Sequence, residues 1–151
     1  MAAARRFDLS HPHALAVYCS DGRFTDAVEE LLHGLGHARL DTLTIPGGPA
    51  LLDLTSSGTG ALDTTRAAAS FLVRGHGLRH VTLLAHEGCG YYRERYRLES
   101  PEAMLRRQLA DLRGAARWIT NTHPSIEVAL YFARIEAGVV VFDAVTLAAT
   151  R

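Results

Sequence analysis

Two apolar runs constrain this chain more than anything else in it. "ALAVYC" (14–19) and "HVTLLAH" (80–86) lack regular polar alternation. A strand with one face in water repeats every second residue, whereas a strand covered on both faces reads as a continuous apolar run. Such strands belong to parallel sheets with helices packed on either side. The segments between and after them have helical spacing. In "FTDAVEELLHGLG" (24–36), Phe24, Val28, Leu31, Leu32 and Leu35 share one face, and Gly34 or Gly36 can end the helix. "ALDTTRAAASFLVRGHG" (61–77) reads as a long helix closing on Gly75 or Gly77. "SPEAMLRRQLADLRGAARWIT" (100–120) reads as another, with Ser100 as N-cap and Pro101 at the first helical position.

The remaining segments complete the pattern. "ARLDTLTI" (38–45) reads as a strand stopped by "PGGP", and "LLDLTSSGTG" as a loop or short helical piece. "IEVALYFARIEAGVVVFDAVTL" reads as two strands joined at "EAG" in an antiparallel hairpin. The alternation predicts the α/β class: a doubly wound, mostly parallel sheet with an antiparallel C-terminal edge strand. A length of 151 residues with 48% hydrophobic content suits one domain, residues 1–151, around one core.

Charge and composition exclude several functions. Sixteen basic residues balance sixteen acidic ones, so a general nucleic-acid surface, which needs a basic excess, is not expected. No stretch approaches the roughly 20 apolar residues of a membrane span, and no membrane partner is expected. "MAAARRFDLS" has no apolar core after Arg5 and Arg6 to make a signal peptide, so a cytoplasmic protein is expected. In a reducing compartment, two distant cysteines point to a metal or redox site rather than a structural disulfide.

Ligand sites in such sheets lie beyond the carboxyl ends of the parallel strands. Cys19 and His86 end two of the predicted strands, and Cys89 follows His86 by three residues. Two thiolates and an imidazole are good zinc ligands and leave a fourth position for water. Each cysteine taken alone also reads as a small buried hydrophobe, and together they could form a reversible disulfide. "CSDGR" adds Asp21 and Arg23. Asp21 can bind zinc as a fourth ligand and close the site, or pair with Arg23 and accept a hydrogen bond from zinc-bound hydroxide. The same two residues could equally form a turn and a surface ion pair. His11, His13, His33, His37, His76, His80 and His123 lack a paired motif and read as surface or helix-end residues.

"CSDGR" with "HEGC" resembles the Cys-x-Asp-x-Arg and His-x-x-Cys motifs of the β-class carbonic anhydrases, and the likeness runs from about Leu15 to Tyr92. The resemblance implies that Cys19, His86 and Cys89 bind Zn²⁺ and that Asp21 and Arg23 form a catalytic dyad. It implies zinc-dependent, reversible hydration of carbon dioxide to bicarbonate by zinc-bound hydroxide, in a homodimer or larger assembly. A related small substrate, carbonyl sulfide or carbon disulfide, or a zinc protein without catalysis, is the alternative. "VVVFDAV" and the helix ending at Trp118 carry apolar surface that also suits association. The departures from the family pattern are local. Gly22 stands where a serine is usual, "IPGGPALL" lacks the usual arginine and asparagine, and Tyr91 and Tyr92 replace small residues. The segment ahead of the first strand is short for the family's N-terminal arm. Gln108, the one glutamine, falls in the late helix rather than at a recognisable pocket position.

Overall fold

The first apolar run, β1 (Ala14–Cys19), lies inside a five-stranded sheet of order β2-β1-β3-β4-β5. The computed structural model describes residues 7–147. β2 (Asp41–Ile45), β3 (His80–His86) and β4 (Glu127–Glu136) run parallel to β1, and β5 (Val139–Ala144) returns antiparallel to β4. The expected fold class is therefore the observed one. All six residues of β1 are buried, as are all of β3 after His80. This is why neither strand alternates: helices cover both faces.

Alternate residues of each strand enter different cores. Leu15, Val17, Val81 and Leu83 face α2 (Thr59–Gly75) and α4 (Pro101–Thr122), packing with Ala69, Leu112, Ala115 and Ile119. Ala16, Tyr18 and Leu84 face α1 (Thr25–Gly34) and pack with Phe24, Val28 and Leu32. Leu35 was expected on this second face, but it follows the last helical residue and is exposed. β2 begins at Asp41, three residues later than the predicted strand, because Gly36 turns the chain at φ +93° after α1. The cap at α4 is as expected: the Ser100 hydroxyl accepts from the Ala103 amide at 3.2 Å, and Pro101 opens the helix.

Three features matter for the site. "GPALL" forms a 3₁₀ turn (Gly48–Leu52) that overlaps the expected loop or short helical piece, "LLDLTSSGTG", only at Leu51 and Leu52. Gly48 enters it at φ +53°, and a Cβ there would lie 2.7 Å from the Tyr18 carbonyl carbon and 2.8 Å from the Cys19 nitrogen. Only glycine brings this turn so close to the end of β1. A short helix that the sequence reading did not identify, α3 (Gly90–Arg95), follows Cys89 directly. Among the described residues no helix is long and apolar enough to cross a membrane. His123 sits at a helix end, as the C-cap of α4, but it is buried there, with its Nε2 3.1 Å from the Ser70 hydroxyl.

Candidate metal centre

The parallel register places the ends of β1 and β3 side by side, with Val17 opposite Leu83. Cys19 closes β1, His86 closes β3, and Cys89 sits at the start of α3 after a turn through Gly88 at φ +67°. The donor atoms of Cys19, His86 and Cys89 all lie within 4.8 Å of one another, and all three residues are buried. Among the described residues, no other set of three histidine, cysteine or acidic side chains gathers in this way.

Each donor is oriented by its surroundings. His86 Nδ1 lies 2.8 Å from the Glu87 carbonyl, an acceptor, so Nδ1 carries the proton and Nε2 keeps its lone pair. That Nε2 is buried without a hydrogen-bond partner. The imidazole packs on the Phe24 ring at 4.2 Å, and the Gln108 side-chain amide donates to the His86 carbonyl at 2.8 Å. The sulfurs of Cys19 and Cys89 are 3.8 Å apart, and both cysteines are free. A hydrogen bond from Cys89 holds the Cys19 thiol down at about 4 against the cost of burial, helped by His86 and the Gly47 amide. Cys89 is pushed up in turn, by the Cys19 hydrogen bond first and burial second.

Zinc fits this set. An unpartnered buried nitrogen is rare in folded proteins and needs a reason. Here it faces two thiols, and two sulfurs on one tetrahedral zinc, each about 2.3 Å from the ion, stand about 3.8 Å apart.

Asp21 and Arg23 leave β1 just beyond Cys19 and form a fork. The Arg23 guanidinium donates from Nε to one Asp21 oxygen at 2.9 Å and from the terminal nitrogen to the other at 2.5 Å. The Arg23 amide adds a third bond at 3.2 Å. The guanidinium holds the Asp21 carboxyl well below the usual carboxylate range. Asp21 is not part of the three-donor cluster. A Cβ at Gly22 would meet nothing within 4 Å, so the glycine in place of serine is not forced by packing.

Both tyrosines of "GCGYY" are tied down. Tyr91 packs against Gly47 and donates its hydroxyl to the Ser56 carbonyl at 2.5 Å. Tyr92 is buried beside Cys19 and Cys89 and donates to the Asp111 carboxylate at 2.5 Å. Tyr92 is a core residue, and neither hydroxyl is left free to act on a substrate. A cavity of about 420 Å³, lined by Gly88, Cys89, Tyr92, Gln108, Phe132 and Arg134 among others, opens beside the ligand loop.

Gln108 and Asp111 were not recognised from sequence as supports of this region. The signal was there: residues 108, 111, 112, 114, 115, 116 and 119 are the buried ones of α4, and two of them, Gln108 and Asp111, have polar side chains. A polar residue on an apolar helical stripe needs a buried partner.

Solved structures share this fold. A β-carbonic anhydrase of the fungal pathogen Aspergillus fumigatus superposes with a TM-score of 0.63 at 18% identity, over 93% of this chain and 78% of that one. The chain has the β-carbonic anhydrase fold. A tetrameric β-carbonic anhydrase of the filamentous ascomycete Sordaria macrospora matches with a TM-score of 0.58 at 15% identity, over 88% of this chain and 81% of that one. One from the protozoan Trichomonas vaginalis matches at 0.53 and 14%, over 93% and 87%. No family model matches the sequence, and no curated protein matches it. At these identities the likeness to β-carbonic anhydrases is one of fold.

Proposed function

We propose that this chain hydrates carbon dioxide reversibly to bicarbonate, with a zinc ion held by Cys19, His86 and Cys89. The buried, unpartnered Nε2 of His86, facing two thiols that form no disulfide and stand 3.8 Å apart, carries the reading. When bound there, zinc supplies a Lewis acid that makes water ionise near neutral pH.

The chain's own residues prepare that chemistry. The Glu87 carbonyl fixes the His86 tautomer and ring, and Gln108 holds the backbone from which the ring projects. Arg23 keeps Asp21 ionised, and a carboxylate in that state can only accept hydrogen bonds. Asp21 can therefore orient a water through an accepted hydrogen bond while staying ionised. The fork also restrains the carboxylate, so Arg23 decides whether Asp21 stays off the metal or becomes a fourth ligand in a closed state. Tyr92, Phe24 and Ala50 wall the donors with apolar surface and limit solvent around them.

Association of two or more chains belongs to the same reading. β5 is an edge strand that leaves Val139 exposed, and the unpaired backbone of such an edge is a pairing surface. Trp118 contributes less than its sequence position suggests, because Arg66 lies over its ring at 4.9 Å. The test of function is stopped-flow hydration of carbon dioxide by zinc-loaded and chelator-treated protein. Activity that follows zinc supports the proposal, and zinc-loaded protein that leaves the uncatalysed rate unchanged overturns it.

A further inference from the structure

The metal centre takes one of eight histidines. Five others gather at the opposite, amino end of the sheet, around the first residue of β1. The His13 carbonyl accepts from the amides of Arg79 and His80, and Ala14 pairs with His80 across the sheet. On the α2 side, His11 stacks on His76, with ring centres 4.2 Å apart. On the α1 side, His37 faces His80 at 5.2 Å. A cavity of about 240 Å³ opens here, with His11, His13 and His37 in its wall.

The two pairs share one feature. His76 Nδ1 lies 2.7 Å from an Asp41 carboxylate oxygen, and His80 Nδ1 lies 3.1 Å from Glu127. A carboxylate on Nδ1 fixes the ring and leaves the Nε2 lone pair outward, the arrangement that accompanies metal-ligating imidazoles. They differ in how the second ring is set. His11 lies nearly parallel to His76, at 16°, and face-stacked rings aim their lone pairs along separate planes. His37 is tilted 49° to His80. Two imidazoles on one tetrahedral ion have ring centres each about 3.2 Å from the metal and so about 5.2 Å apart. That is the spacing of His37 and His80.

We propose that His37 and His80 form a second metal site, for a divalent transition ion of the kind imidazole prefers, such as zinc or nickel, with Glu127 orienting His80. Water completes the coordination shell, so the site is weaker and more exchangeable than the three-donor centre. The neighbouring cation, Arg39, is engaged by the Ser10 carbonyl and hydroxyl and by Asp8, which turns its charge away from the imidazoles. The inference is independent of the chemistry proposed for the cysteine centre.

The experiment titrates nickel into protein loaded with one zinc per chain, so that the tighter cysteine centre is filled and the histidine pair is left open, and follows the imidazole resonances by NMR and the binding heat by calorimetry. Paramagnetic broadening at low nickel should reach His37 and His80 first. His37→Gln and His80→Gln should each weaken nickel binding by roughly tenfold or more, and Glu127→Gln by less. His11→Gln should leave it unchanged. His37 and His80 are both partly exposed, so these substitutions leave the core intact, and circular dichroism confirms it. Equal broadening of all accessible histidines, wild-type affinity in His37→Gln, or no binding at all would each overturn the proposal.

Discussion

Gln108 touches no donor atom, yet it holds the backbone carbonyl of His86 from inside α4. Such a support should matter to the metal. Gln108→Ala is expected to lower zinc affinity by about 10- to 100-fold, the usual loss for an outer-shell partner, as read by chelator competition. An unchanged affinity would reduce Gln108 to a packing residue. Arg23 should behave differently, since its fork acts on Asp21 rather than on a ligand. Arg23→Ala should keep one zinc per chain but lower hydration by about 10²-fold, the scale of losing one positioned proton-handling group. X-ray absorption should then show Asp21 as an added oxygen ligand. Wild-type turnover in Arg23→Ala would mean that the fork is only a turn. The three donors and the fork were legible because each sits at a strand end or within four residues of one, where topology fixes position. Gln108 was not, because its role depends on which side of α4 meets the ligand loop.

Among the elements, the glycine turn and α3 do the positioning. Gly48 lets the 3₁₀ turn lie against the end of β1, and any Cβ would meet backbone at 2.7 Å. Gly48→Ala should therefore destabilise the protein by about 1–3 kcal/mol through strain at positive φ, seen as a lower denaturant midpoint with an unchanged slope. No shift in midpoint would show that the turn can retreat freely. α3 is anchored by the bond from Tyr92 to the buried Asp111. Burial is the main influence pushing the Asp111 carboxyl up, and Tyr92→Phe removes one of its donors. A loss of about 1–3 kcal/mol is expected, the cost of leaving a buried polar group unsatisfied. β1, β3, α4 and the hairpin were readable because their apolar spacing reports burial directly. α3 was not: six residues of glycine, tyrosine and charge carry no period of their own, and tertiary bonds of Tyr91 and Tyr92 hold them in place.

Across the whole molecule, the sheet keeps two chemistries apart. Cysteines and one histidine meet at its carboxyl end, and carboxylate-paired histidines at its amino end. Neither the convergence of His37 on His80 nor the burial of His123 could be read from spacing, since both depend on how loops fold back over the strand starts. The exposed edge at β5 leads to an expectation about assembly. Light scattering of the zinc-loaded protein at micromolar concentration should give a dimer or larger, and a monomer would contradict that part of the account. The central claim is that the three buried donors hold a catalytic zinc. Its most direct test is one preparation measured twice, for zinc by elemental analysis and for carbon dioxide hydration by stopped flow, before and after chelation and zinc readdition. The account predicts one zinc per chain, with hydration lost and regained in step with it; zinc bound at one per chain without hydration above the uncatalysed rate would contradict it.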